Sequence, residues 1–152
     1  MEEANIYIRV CWNELIKVGG YGAIIERNGI IRELSASYCP ISQRRLSLIG
    51  VVAALDSLPR PCKIKLFSGS EYVISGVRKK NWLIKWSRRN WRRSDRQKVK
   101  NADLWIDLLD LMERHNIDFV WIREYNGFEW GEEYHDRCYE LAYTAIASGK
   151  MG

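Results

Sequence analysis

The chain has 152 residues, 47% of them hydrophobic and 28% charged, with three Pro and a formal net charge of +5. That length and apolar content suit one domain, residues 1–152, with a hydrophobic core, and they exclude a chain disordered throughout. No apolar run approaches the length of a membrane span, and the opening MEEANIYIRV is neither a secretory signal nor a transit peptide. Cys11, Cys39, Cys62 and Cys138 are scattered without a CxxC pair, and neither His sits at metal-finger spacing to a Cys. This predicts reduced, mostly buried thiols, an intracellular and cytoplasmic protein, and no metal or other cofactor.

Residues 6–11 (IYIRVC) have strand length, with Arg9 inside the run. Residues 13–18 read as a loop. Gly19-Gly20-Tyr21-Gly22 follows, where glycine permits a tight turn or a close backbone approach. Without a GxGxxG or GxxxxGKS pattern it is a weak phosphate signal. Asn28-Gly29 is a hairpin signal between strands at 21–27 and 30–38. The period then changes. Leu46, Ile49, Val52, Ala53 and Leu55 form a helical stripe that Ser42 caps and Pro59 and Pro61 close. Residues 63–67 read as a strand and 71–80 as a short helix. Asn101 is expected to cap an amphipathic helix over 102–115, with Asp103 in its first turn. A final strand at 118–122, a loop at 125–134 and a helix over 134–148 complete the chain. The order βββ-α-β-α(α)-α-β-α predicts an α/β sheet, half antiparallel and half connected by crossovers.

One segment dominates the charge. Residues 77–100, VRKKNWLIKWSRRNWRRSDRQKVK, hold eleven Lys or Arg, one Asp and three Trp, a net +10, so the rest of the chain sums to −5. Trp82, Trp86 and Trp91 recur at spacings of one helical face or two abutting short helices. Trp82, Trp86 and Trp105 are expected in the core, and Trp91, among Arg and Asn, is expected to be exposed. Such a cationic segment predicts a polyanionic partner, nucleic acid first; an acidic protein or a merely solvated face are the alternatives. Lys85, Arg88, Arg89, Arg92, Arg93, Arg96, Lys98 and Lys100 are the candidate phosphate contacts, with Trp91 beside them. Contacts of that kind set affinity and salt dependence rather than sequence choice, and suit a duplex read by shape, either A-form RNA or a hybrid.

Several local words, in this order, resemble ribonuclease HI. They are GGYG near the second strand, RRLSLIGVVAAL on the first helix, LFSGSEYV after the fourth strand, WLIKWSRRNWRRSDRQKVKNADLW in the basic segment and DRCYELA on the last helix. The similarity runs from about residue 6 to residue 147. It implies a ribonuclease H-like α/β fold, a five-stranded mixed sheet of order 3-2-1-4-5 with helices on both faces. It also implies a basic protrusion, here at about 77–100, that grips the DNA strand of an RNA–DNA hybrid.

The family's chemistry uses four carboxylates that hold two Mg²⁺ ions about 4 Å apart. The family's DGS word falls on Arg9-Val10-Cys11, its RMEL word on Arg45-Leu46-Ser47-Leu48 and its TDS word on Ser68-Gly69-Ser70. The last-helix Asp falls on Tyr139 and the loop His near Tyr125. Arg9, Ser47, Gly69 and Tyr139 supply no anionic ligand. The expectation is a chain that is not an enzyme and binds a hybrid or RNA duplex without cutting it. The alternatives are a structural subunit of a larger protein or ribonucleoprotein assembly, and a nuclease with a relocated metal site. Arg9 is expected either to contact a phosphate or to pair with a neighbour such as Glu71 or Glu124. Gln43, Arg44 and Arg45 fall on an Asn-Asn-Arg word near the family's substrate minor groove, or form a solvated helix start. Ser70 and Asn101 match family residues near the protrusion and the DNA backbone. The loop carrying Phe128 and Trp130 is a candidate contact for a protein partner.

Overall fold

The computed structural model describes residues 1–124 and 132–152, with the backbone alone at 80, 81 and 124. β1 (Glu2–Asn13), β2 (Val18–Arg27) and β3 (Ile30–Tyr38) form an antiparallel meander. α1 (Gln43–Asp56) crosses over to β4 (Cys62–Ser68), which runs parallel to β1. α2 (Glu71–Arg78), α3 (Lys80–Arg88) and α4 (Ala102–Arg114) lead to β5 (Asn116–Trp121), parallel to β4. A 3-10 turn (Ile122–Glu124) follows, and α5 (Glu132–Ser148) is the last helix. The sheet order is β3-β2-β1-β4-β5, the mixed sheet that the sequence led us to expect.

Local chemistry accounts for the boundaries. Asn28 and Gly29 both take positive φ, 52° and 75°, and Arg27 pairs with Ile30 across them. That is the two-residue turn whose twist matches the strands. The Ser42 side chain accepts a hydrogen bond from the Arg45 amide at 3.2 Å and caps α1. Ser70 caps α2 in the same way, through the Val73 amide. Gly149 leaves α5 at φ 68°.

The sheet separates two layers. Ile6 and Ile8 of β1 pack with α1 and α4 residues such as Leu46, Leu55 and Leu108. Tyr7, between them, points to the other face and joins Ile24, Phe67 and Cys138 under α5. This is the period-two alternation of a strand covered on both faces. Gly22 explains the glycine run. A Cβ there would lie 2.0 Å from the Cys138 carbonyl oxygen of α5, so close approach rather than turning is what the position requires.

Three expectations are corrected. Asn101 does not cap α4 with its side chain. It sits at φ 60°, in the left-handed region that Asn tolerates, and its amide turns to Tyr72 and Arg45 instead. Trp82 is not core; it is 56% exposed, because α3 is short and only Leu83 among its described side chains is buried. Trp91 is half-buried against the core rather than exposed. The four cysteines are free thiols, two of them buried. No helix among the described residues is long and apolar enough to cross a membrane.

Candidate nucleic-acid interface

Three parallel strands end side by side. β1 pairs with β4 only as far as Ile8 with Ser68, so Arg9 stands just beyond the shared ladder, while β1 continues against β2 through Arg9 and Gly22. Gly69 follows β4 directly, and Arg123 lies two residues past the end of β5. Crevices outside the carboxyl ends of parallel strands are where α/β sheets hold ligands.

A cleft of about 960 Å³ opens there and runs to the basic segment. Among the described residues that line it, six are cationic (Arg9, Arg44, Lys79, Arg93, Lys100 and Arg123) and one, Glu71, is a carboxylate. Low-dielectric walls focus such a field onto an anion. Trp82 and Trp86 meet edge to face at 6.0 Å on one wall. The exposed Trp82 indole presents an apolar face beside the cations, a surface on which a sugar or base can stack.

Polar contacts tie together the elements around this cleft. The Tyr72 hydroxyl accepts from the Trp105 indole nitrogen at 3.0 Å and from the Asn101 amide at 3.2 Å. Arg45 donates to both Asp103 carboxylate oxygens, at 3.0 and 2.7 Å, and so ties α1 to α4. The guanidinium holds the Asp103 carboxyl below the usual carboxylate range. Arg44 lies over the Tyr72 ring, 5.2 Å from its centroid. His135 faces the cleft from α5, and burial first, then the Arg9 charge, pushes its pKa down to about 4.

The candidates from the sequence divide into three groups. Arg9, Gln43, Arg44, Arg93 and Lys100 line the cleft. Arg45 and Asn101 are partly buried and engaged in the contacts above, and Trp91 packs on the core. Lys85, Arg88, Arg89, Arg92, Arg96 and Lys98 are exposed around the rim, outside the lining. Arg93 also donates to Asp95, and this pair shapes the turn at the tip. Lys79, Tyr72, Arg123 and His135 line the cleft without having been singled out, and Trp82, expected in the core, lines it too. Lys79 was legible as part of the basic window; Arg123 and His135 carried no local signal. Tyr125 and the loop with Phe128 and Trp130 lie outside the described residues.

The positions of the family's carboxylates do come together. Arg9, Ser47 and Gly69 share the cleft, and the Arg9 guanidinium lies 4.8 Å from the centre of the Tyr139 ring. Among the described residues no group of three or more His, Cys, Asp or Glu is arranged to hold a metal ion. A guanidinium, a hydroxyl, a bare backbone and a phenol do not fit a pair of divalent cations, which need anionic oxygen ligands.

The ribonuclease H family model matches residues 2–145. The chain belongs to the ribonuclease H family. It is 40% identical to a ribonuclease H of Nitrosospira multiformis over 78% of this chain and 75% of that one. With a ribonuclease H of Nitratidesulfovibrio vulgaris it shares 40% identity over 82% of this chain and 76% of that one. Among solved structures, a type 1 ribonuclease H with the type 2 active-site motif superposes with a TM-score of 0.75 at 20% identity, over 97% of this chain and 73% of that one. A foamy viral protease-reverse transcriptase in complex with an RNA/DNA hybrid gives 0.70 at 13% identity, over 97% of this chain and 20% of that one. At those identities the structures show the shared fold.

The family relatives correct one expectation. The sequence led us to expect a chain that is not an enzyme, yet relatives 40% identical over most of it are named ribonuclease H, which indicates an enzyme. The four substituted positions do not contradict this by themselves. They mean that Arg9, Ser47, Gly69 and Tyr139 offer no carboxylate at the positions where the family carries its metal ligands.

Proposed function

We propose that this ribonuclease H family chain, acting as one domain, grips an RNA–DNA hybrid or an RNA duplex by its phosphate backbone. The observation that carries this reading is the cleft lining, six cations against one carboxylate among the described residues, continuous with a segment of net +10. Rim residues such as Arg88, Arg89, Arg92 and Lys98 extend the same field over the flanking backbone. Two structural neighbours, by their names, are complexes with an RNA/DNA hybrid and with double-stranded DNA, which supports a duplex ligand. A-form geometry is favoured because cations on a fixed frame read groove width and phosphate spacing, not base edges. Four free thiols accord with a reducing, cytoplasmic setting.

The test is binding of purified protein to labelled RNA–DNA hybrid, double-stranded RNA, double-stranded DNA and single-stranded RNA at two salt concentrations. Mg²⁺ is present and the products are run on a gel. The expected order places hybrid and double-stranded RNA ahead of the other two, with steep salt dependence. Equal, weak binding of all four at moderate salt would overturn the reading. A cut RNA strand would assign the family's hydrolysis to carboxylates outside the four substituted positions.

A further inference from the structure

We propose that the centre at the ends of β1, β4 and β5 takes a backbone phosphate directly on Arg9 and Arg123, so that duplex binding needs no bridging divalent cation. This deepens the function proposed above and rests on it, because it names the ligand and the contacts of the same cleft.

The geometry carries the argument. Arg9 projects from β1 into the cleft, held from one side by the Tyr139 ring at 4.8 Å and more loosely by Asp136 at 3.8 Å. Asp136 is 74% exposed, so this ion pair is a weak, solvent-screened one that a phosphate can displace. The ring contact orients the guanidinium without using its N–H donors. Those donors form the planar fork that matches two phosphate oxygens. Arg123 enters from beyond β5 and is exposed. Strands in a sheet lie about 4.8 Å apart, so the ends of β1 and β5, with β4 between, are about 10 Å apart; Arg9 leaves the first, Arg123 follows the second by two residues, and both line the one cleft. Between them is Gly69, where a Cβ would meet nothing within 4 Å. The space over Gly69 is therefore open, and Arg9 and Arg123 line the same cleft with it.

A divalent cation in that space would meet two guanidinium groups that do not deprotonate. A phosphate there meets the charge it requires. The substituted centre has changed the sign of what it attracts, from cation to anion, while remaining in the same cleft.

The experiment measures hybrid binding by fluorescence anisotropy at constant ionic strength, with Mg²⁺ or with EDTA. Wild type, Arg9→Gln, Arg123→Gln and a reference variant, Lys79→Gln with Lys100→Gln, are compared, and circular dichroism confirms their folds. Chelation should leave the wild-type Kd unchanged. Arg9→Gln should weaken binding about eightfold at roughly 0.1 M salt, the counterion share of one phosphate contact, and lower the salt slope by about one. Arg123→Gln, on an exposed turn, should act in the same direction and covers the case of a misfolded Arg9 variant. Loss of binding on chelation would overturn the inference. So would wild-type affinity and slope in both arginine variants while the lysine variant binds weakly, and that result leaves the proposed function standing. If the lysine variant also binds like wild type, the proposed function fails as well.

Discussion

Replacing Lys79 and Lys100 together by Gln tests whether the cleft, and not the charge of the chain as a whole, holds the duplex. Both residues line the cleft, and each lies on the exposed surface, so the substitutions leave the core intact. Six cations among the described residues line the cleft, and each phosphate neutralised contributes about −0.9 to the slope of log K against log salt. If all six are engaged, the slope is about −5, and raising salt from roughly 50 to 200 mM weakens binding on the order of 10³-fold. Removing two contacts reduces the slope to between about −3 and −4, and the same salt step to a loss on the order of 10². Hybrid binding by anisotropy over a salt series measures both slopes. A slope unchanged from wild type would show that the phosphates lie elsewhere. A double variant of two exposed cations away from both the cleft and the basic segment, Arg60→Gln with Lys63→Gln, is the control; an equal fall in that variant would show that position is irrelevant.

Three further outcomes follow from the packing. Gly22→Ala drives a methyl into the Cys138 carbonyl, so α5 has to shift, and urea unfolding should show a loss of about 1–3 kcal/mol; an unchanged midpoint would mean that α5 is free to move away. Tyr72→Phe removes the shared acceptor of Trp105 and Asn101 and leaves a buried indole N–H unpaired, at a cost of about 1–3 kcal/mol; a loss below a few tenths would refute that account. His115 is buried, its Nδ1 accepts the Cys62 amide at 3.0 Å, and burial first, then Arg114, lowers its pKa. A base with a lowered folded pKa binds its proton more readily when unfolded, so stability is fully present above the unfolded value of about 6.5 and falls as pH drops below it. Urea midpoints at successive pH values should show that fall, and His115→Gln should flatten it while His135, also lowered, retains part. Identical pH profiles for the two proteins would exclude His115 as a source.

Some of the site was legible in advance because its signal is local. The density of Lys and Arg between residues 77 and 100 is a property of consecutive residues, and so is the family resemblance that located Arg9, Ser47, Gly69 and Tyr139. Other parts were not. Arg45 looked like any helix-start cation, yet Asp103 and Asn101 on another element claim it. Trp82 and Trp91 exchanged their expected exposures. α3 stops at Arg88, and the chain then turns through two left-handed residues, Asn90 and Trp91, which folds the second indole inward. Helical periodicity alone does not announce such a stop.

The sequence by itself determined the order of the elements, the hairpin at Asn28-Gly29, the cap at Ser42 and the place where positive charge accumulates. Turn chemistry, capping and periodicity act over a few residues, so they survive in a linear text. Only the tertiary structure decided which cations face the cleft and which stand on its rim. It alone put Arg123 and His135 beside Arg9, and opened the space over Gly69. Those groups come from β1, the end of β5 and α5, and they meet because β4 is inserted between β1 and β5 in the sheet. No local pattern records an encounter that depends on how strands far apart in the chain are ordered.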